Sequence, residues 1–311
     1  MTRAFIFPGQ GSQSAGMGKA LAQASPAARA VFEEVDCALG EHLSRLMFDG
    51  SLTELTLTEN AQPAIMAVGI AVLRVLEEGG IRVADTAAFV AGHSLGEYSA
   101  LCASGVLTLA DTARLLRLRG RAMQAAVPVG VGAMAVIIGL DLETVLAVAA
   151  DAAQGDVCEV ANDNAPGQVV VSGHETAVMR AIGLAKTRGS RHSVLLPVSA
   201  PFHCALMAPA ATAMRDALAA TTFAAPFVPL VANVTAAPVA HAAAMRGLLV
   251  EQVTGRVRWR ESVLAMTAAG VDGFVELGAK VLGPMVKRIT PDATAEAALD
   301  MGSIEALAKG L

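Results

Sequence analysis

Gly92-His93-Ser94-Leu95-Gly96 reads G-x-S-x-G, fed by the apolar run Thr86 to Ala91 and followed by an Ala-rich stretch. Between a strand and a helix, that pattern seats a serine on a tight turn with its hydroxyl projecting from the sheet edge. The helix N-terminus beyond it offers free N–H groups and a partial positive charge to an oxyanion. The chemistry is nucleophilic acyl transfer, and a serine nucleophile needs a base. Of the six histidines, His42, His174, His192 and His241 stand in polar surroundings and read as surface residues. His93 adjoins the serine, where packing alone accounts for it. His203 follows Pro201-Phe202 where the chain leaves a Pro-rich linker, and it is the candidate base.

A third demanding residue lies in the segment Leu109 to Ala126. At ~100° per residue, Arg114, Arg117 and Arg121 share one helix face. That face reads as a solvated stripe. Arg119 falls nearly opposite, inside the apolar arc of Leu115, Leu118, Ala122, Met123 and Ala126. A guanidinium on a buried face must have a partner, because an isolated buried charge is very costly. Two partners are open: an acid elsewhere in the chain, or a ligand carboxylate or phosphate gripped by the planar fork.

The elements that position these residues follow from periodicity. Ala4 to Phe7 reads as a buried strand stopped by the loop Pro8-Gly9-Gln10-Gly11-Ser12-Gln13. The spacing of that loop fits neither nucleotide-binding glycine pattern. Ala27 to Leu39 and Ala61 to Glu78 have helical spacing, with Pro63 expected in the first turn of the second. Thr108 with Asp111 predicts a cap for the helix Leu109 to Ala126. Pro128 to Gly132 and Pro197 to Pro201 read as linkers. Between them the pattern is strand (Ala133–Leu140), helix (Leu142–Ala153), strand (Val157–Ala161), strand (Gln168–Ser172), helix (Glu175–Arg188), strand (Ser193–Leu196). That order is ferredoxin-like, and its two middle strands are joined by a turn-rich loop, Asn162 to Gly167. After His203 come a helix, a strand near Val228 to Ala232, a helix carrying Gln252, and Gly273 to Leu277 as the last strand. The expected organisation is α/β: a large discontinuous domain, residues 1–130 and 198–311, with an inserted small domain, 131–197.

Composition narrows the function classes. The chain has 311 residues, 54% apolar but only 4% aromatic, with net charge −5. Such a balance lacks the basic footprint of nucleic-acid binding. No apolar run reaches the ~18 residues that would span a bilayer, and the start of the chain lacks a secretory pattern. Cys37, Cys102, Cys158 and Cys204 form no C-x-x-C pair and read as reduced thiols. A cytoplasmic protein with no nucleic-acid or membrane partner is expected.

With these residues in view, the chain resembles the malonyl-CoA:acyl carrier protein transacylase family. The resemblance rests on Phe7-Pro8-Gly9-Gln10-Gly11-Ser12-Gln13, Gly92 to Glu97, Arg117-Leu118-Arg119-Gly120 and Val198 to His203. Weaker matches are Gln62-Pro63, Asn162, Gln252 to Trp259 and Glu276 to Leu282. The resemblance implies an α/β-hydrolase-like large domain with a parallel sheet and a ferredoxin-like insert. It implies Ser94 as nucleophile and His203 as base, with the backbone N–H groups of Gln10 and Leu95 as the oxyanion hole. Arg119 is expected to pair with the malonyl carboxylate. A carbonyl near Gln252 is expected to orient the imidazole in place of a triad acid. Phe202 and Asn162 complete the implied substrate pocket, Leu95 and Phe202 matching the malonyl rather than the methylmalonyl pattern. No metal or cofactor is implied, since the coenzyme A thioester is a substrate. The implied partners are malonyl-CoA and acyl carrier protein. Carrier proteins are acidic, which makes Lys186, Arg188, Arg191, Lys280, Lys287 and Arg288 docking candidates.

Two segments depart from the family pattern. Arg256 stands before Val257-Arg258-Trp259 where members often have proline, and the turn Gly278 to Leu282 is one residue shorter than usual. Competing readings are a malonyl transferase of a polyketide or malonate decarboxylase system, a serine thioesterase or esterase, and a non-catalytic carrier-protein binder. Arg119 on an apolar face and the missing triad acid weigh against hydrolysis. Intact Ser94 and His203 weigh against the binder.

Overall fold

The computed structural model describes residues 1–311. Its strands are β1 (Arg3–Phe7), β2 (Phe89–Gly92), β3 (Gly132–Ile138), β4 (Cys158–Ala165), β5 (Gln168–His174), β6 (His192–Leu195), β7 (Leu230–Ala232), β8 (Ala237–Val239), β9 (Gly273–Leu277) and β10 (Thr294–Ala298). The larger sheet is ordered β10-β9-β1-β2-β7-β8 and the smaller β4-β5-β3-β6. Neighbours in the larger sheet run parallel except at the β7–β8 hairpin. Parallel strands need helical crossovers, which bury the sheet on both faces. β1 shows this residue by residue. Phe5 and Phe7 join the main core with the helix Thr58–Glu78, while Ala4 and Ile6 face a second cluster around Trp259 and Val263.

The registers Phe7↔Gly92, Ala91↔Val231 and Ile6↔Glu276 bring the carboxyl ends of β1, β2, β7 and β9 side by side. The loops leaving those ends carry Gln10, Ser94, Asn233 and the turn before Val281. That edge is where open parallel sheets present ligand-binding loops.

The smaller sheet is antiparallel throughout, and its elements follow the β-α-β-β-α-β order read from the sequence. Ala135, Ile137, Val169 and Val171 pack beneath the helices Leu142–Ala153 and Glu175–Thr187. On the opposite face Met134 and Val170 join the main core. Alternation along β3 and β5 thus makes the small sheet a wall over the carboxyl edge of the large one.

Five expectations are corrected. Asn162 to Ala165 do not form a loop but continue β4 through two register shifts, leaving Pro166-Gly167 as the turn. Tertiary partners extend this polar stretch: Asp163 binds Arg260 at 2.8 Å, Asn164 bonds His93, and Asn162 bridges Val257. Gly273–Leu277 is not the last strand, because β10 pairs with it at the sheet edge. The composition of β10, TAEAA, has little β-propensity of its own. The helix carrying Pro63 begins at Thr58, so Pro63 lies in the second turn and leaves the Glu59 carbonyl without its helical donor. Arg117 supplies one: its Nη1 donates to Glu59 O at 3.0 Å and its Nη2 pairs with Glu41 at 2.8 Å. Arg117 is therefore buried, unlike Arg114 and Arg121, while Leu118 of the supposed apolar arc is exposed. The helix Leu109–Ala126 packs on several helices at once, so its buried arc is wider than one stripe.

Candidate active site

Ser94 adopts φ 54°, a left-handed conformation that strains a residue with a Cβ. The two flanking glycines make the turn sterically feasible. A Cβ on Gly92 would lie 1.9 Å from the Gly96 backbone, and one on Gly96 would lie 2.3 Å from Phe7 O. The helix Gly96–Ala103 starts immediately afterwards. Ser94 Oγ lies 2.7 Å from His203 Nε2. His203 Nδ1 faces two carbonyls, Gln252 O at 2.8 Å and Gly255 O at 3.1 Å. Carbonyls only accept, so Nδ1 carries the proton and the Nε2 lone pair meets the serine hydroxyl. Burial and then the Arg119 charge push the His203 pKa down to about 3, keeping the ring neutral.

Arg119 is almost wholly buried, and each hydrogen-bond partner it has is uncharged. Its Nη1 donates to Gln62 Oε1 at 2.8 Å, and its Nη2 to Gln252 Oε1 at 2.9 Å and Ser94 Oγ at 3.2 Å. Its Nε has no partner. A guanidinium only donates, so it fixes the direction of two chains of hydrogen bonds. On one side Gln62 Nε2 donates to Thr58 Oγ1, whose hydroxyl donates to Gln10 Oε1. On the other, Gln252 Nε2 donates to Ser94 O and to Glu97 Oε2. Glu97 is the buried acid of this network, one amide removed from Arg119. Desolvation raises its pKa to about 7 against the hydrogen bonds it accepts. Gly120 lets Arg119 approach, since a Cβ there would meet Glu59 Cα at 2.5 Å and Thr58 O at 2.7 Å.

Ser94, His203 and Arg119 open on one cavity of about 480 Å³. Gln10, Leu95, Phe202 and Asn162 line it too, so every catalytic or substrate-binding candidate except Gln252 reaches its wall. Gln252 is fully buried behind it. The N–H groups of Gln10 and Leu95 donate to no other group of the chain, the condition an oxyanion hole requires. Met134 and Val170 of the small sheet line the cavity, as do Val281 and Met285.

Residues 4–299 match the acyl transferase domain family. The chain belongs to that family. The malonyl CoA-acyl carrier protein transacylase of Bacillus subtilis (strain 168) is 44% identical to this acyltransferase over 304 residues, 97% of this chain and 95% of the relative. The solved acyl-carrier-protein-S-malonyltransferase of Bartonella henselae superposes with a TM-score of 0.98 at 53% identity, covering 100% and 99% of the two chains. A malonyl-transacylase solved in complex with its type II polyketide acyl-carrier protein gives 0.97 at 41% identity, with both chains fully covered.

Around the site of this acyltransferase stand residues to which the sequence reading gave no role there. His93 Nε2 bonds Asn164 Oδ1 at 2.8 Å and its ring packs near Trp259, so it ties the serine turn to β4. Gln62 is a polar residue inside an otherwise apolar helical run, a signal that was legible. Asn233 reaches Ser94 from the end of β7, and only the sheet order reveals it. Glu276 explains its segment: its carboxylate accepts from Val281 N, Leu282 N and Gly283 N, capping the next helix. Arg256, at the first departure from the family pattern, pairs with Glu261. Among the docking candidates, Arg188 pairs with Asp151, and Lys287 Nζ donates to Pro291 O and Ala293 O. Arg288 holds Gln168 and Pro166, and Lys280 is exposed beside Val281 at the cavity.

Proposed function

We propose that this acyltransferase moves the malonyl group from coenzyme A to the phosphopantetheine thiol of acyl carrier protein through a malonyl-Ser94 ester, feeding fatty acid elongation. The observation that carries the reading is Arg119: a buried guanidinium held only by neutral groups, in contact with the Ser94 hydroxyl. A protein that buries a permanent cation without an acid beside it leaves that position for a ligand carboxylate.

The proposed steps use that geometry. Ser94 Oγ attacks the thioester carbonyl as its proton passes to His203 Nε2. The tetrahedral oxyanion accepts from the free amides of Gln10 and Leu95. Collapse breaks the C–S bond, and the His203 proton leaves with the coenzyme A thiolate. The carrier thiol then gives its proton to His203 and attacks the ester, and Ser94 recovers its hydrogen. Stabilisation of the imidazolium by two carbonyls replaces that by a triad acid. Phe202 and Asn162 bound the acyl chamber. An acetyl group brings no carboxylate, so it leaves the guanidinium without its strongest partner and is disfavoured.

Intact-protein mass spectrometry after mixing with malonyl-CoA tests the reading. A malonyl adduct on Ser94 that acyl carrier protein discharges is expected. An unmodified protein, or malonate released to water as fast as it is transferred, refutes it.

A further inference from the structure

The Ser94 turn is strained, and although Ser94 O accepts from Glu97 N and Gln252 Nε2, the Ser94 N–H meets no backbone acceptor. That N–H turns to a side chain outside the cavity lining, and the Gly92 carbonyl lies past the end of the β2–β7 pairing, which stops at Ala91↔Val231. One side chain meets both. Asn233 Oδ1 accepts from Ser94 N at 2.8 Å, and Asn233 Nδ2 donates to Gly92 O at 2.7 Å. Asn233 is fully buried at the first position after β7, and its own backbone is held at both ends. Its N–H donates to Glu97 Oε2 at 3.1 Å, and its carbonyl accepts from Arg258 N at 3.0 Å.

From this geometry we infer that Asn233 is a positioning residue for the nucleophile: it clamps the two ends of the Gly92–Ser94 turn and so holds Ser94 Oγ in line with His203. Two consequences follow. The clamp occupies the Ser94 N–H, leaving the amides of Gln10 and Leu95 as the free donors beside the hydroxyl. It also joins the nucleophile to Glu97, which anchors Gln252, and through it Arg119, on the same carboxylate oxygen. An amide is the fitting chemistry, because the turn presents one donor and one acceptor that Asn matches with one acceptor and one donor. The inference rests on Ser94 being the nucleophile of the proposed transfer.

The test measures Ser94 reactivity per folded molecule in Asn233→Ala and Asn233→Asp at pH 8. Two reagents are used: malonyl-CoA, and a neutral serine-directed fluorophosphonate that needs no carboxylate receptor. Both rates are expected to fall together, by about 10- to 100-fold, as a misplaced reacting group costs, while the KM for malonyl-CoA stays unchanged. Asn233→Asp keeps the shape and the acceptor but sets an oxygen against Gly92 O, so it carries the test if Asn233→Ala does not fold. Rates equal to wild type in folded protein overturn the inference. So does a loss confined to malonyl-CoA, which would place Asn233 in carboxylate recognition. Failure of wild-type protein to react with malonyl-CoA overturns instead the proposed transfer.

Discussion

Replacing Arg119 by alanine is expected to separate the proposed recognition of an acyl carboxylate from the proposed chemistry at Ser94. The guanidinium offers a carboxylate charge-assisted hydrogen bonds in a buried chamber, from nitrogens that now bind Gln62, Gln252 and Ser94 Oγ. Truncating one partner of such a buried pair costs about 2–5 kcal/mol. At about 1.4 kcal/mol per decade, malonyl acylation falls by roughly 30- to 4000-fold in kcat/KM. The acetyl group has no carboxylate to lose. Its reaction is relieved of the Nη2 hydrogen bond that draws on the Ser94 Oγ lone pairs at 3.2 Å. It is relieved also of the positive charge that, after burial, most weakens His203 as a base. Acetyl acylation therefore holds or rises, and the malonyl preference collapses. Single-turnover acylation by the two thioesters, followed by rapid quench and intact-mass detection, measures both limbs. An equal loss for malonyl and acetyl would refute the reasoning and make Arg119 a structural cation.

Glu97→Gln tests the buried acid. The Glu97 pKa is raised from 4.5 to about 7, so between those values the native state binds more protons than the unfolded chain and stability falls as pH rises. The variant lacks this loss, so its melting temperature should gain on wild type as pH goes from 5 to 8; a pH-independent offset in thermal melts would contradict it. Gly120→Ala drives a Cβ into the backbone of Glu59 and Thr58 and is expected to cost about 1–3 kcal/mol, read by urea denaturation. An unchanged midpoint would mean the two helices are not in that contact. Charge reversal at Lys280 and Arg288, near the cavity wall formed by Val281 and Met285, should weaken transfer to acyl carrier protein and flatten its salt dependence. Unchanged carrier kinetics across a salt series would place docking elsewhere.

The small sheet shows why polar stretches mislead a reader of sequence. Asn162-Asp163-Asn164 has the composition of a turn, and local preference favours one. Arg260, His93 and Val257 override it, and all three are far away in the chain. Arg117 misleads in the opposite way. A helical wheel places it with Arg114 and Arg121, but the open carbonyl created by Pro63 on a neighbouring helix draws it inward. In both cases a distant partner satisfies a backbone or charged group that local rules assign to water.

Ser94 on its turn, the helix bearing Arg119 and the β-α-β-β-α-β insert were legible because each depends on short-range pattern: glycine spacing, helical period, strand alternation. His203 was legible as a candidate because a serine nucleophile requires a base and few histidines are placed to serve. Tertiary structure alone decided that Arg119 has no acid beside it, that Gly255 O joins the expected Gln252 carbonyl at His203, and that Asn233 grips the serine turn. Those facts depend on which strand ends lie side by side. A parallel sheet sets that order by crossovers long in sequence, so no local pattern encodes which residues meet at its edge.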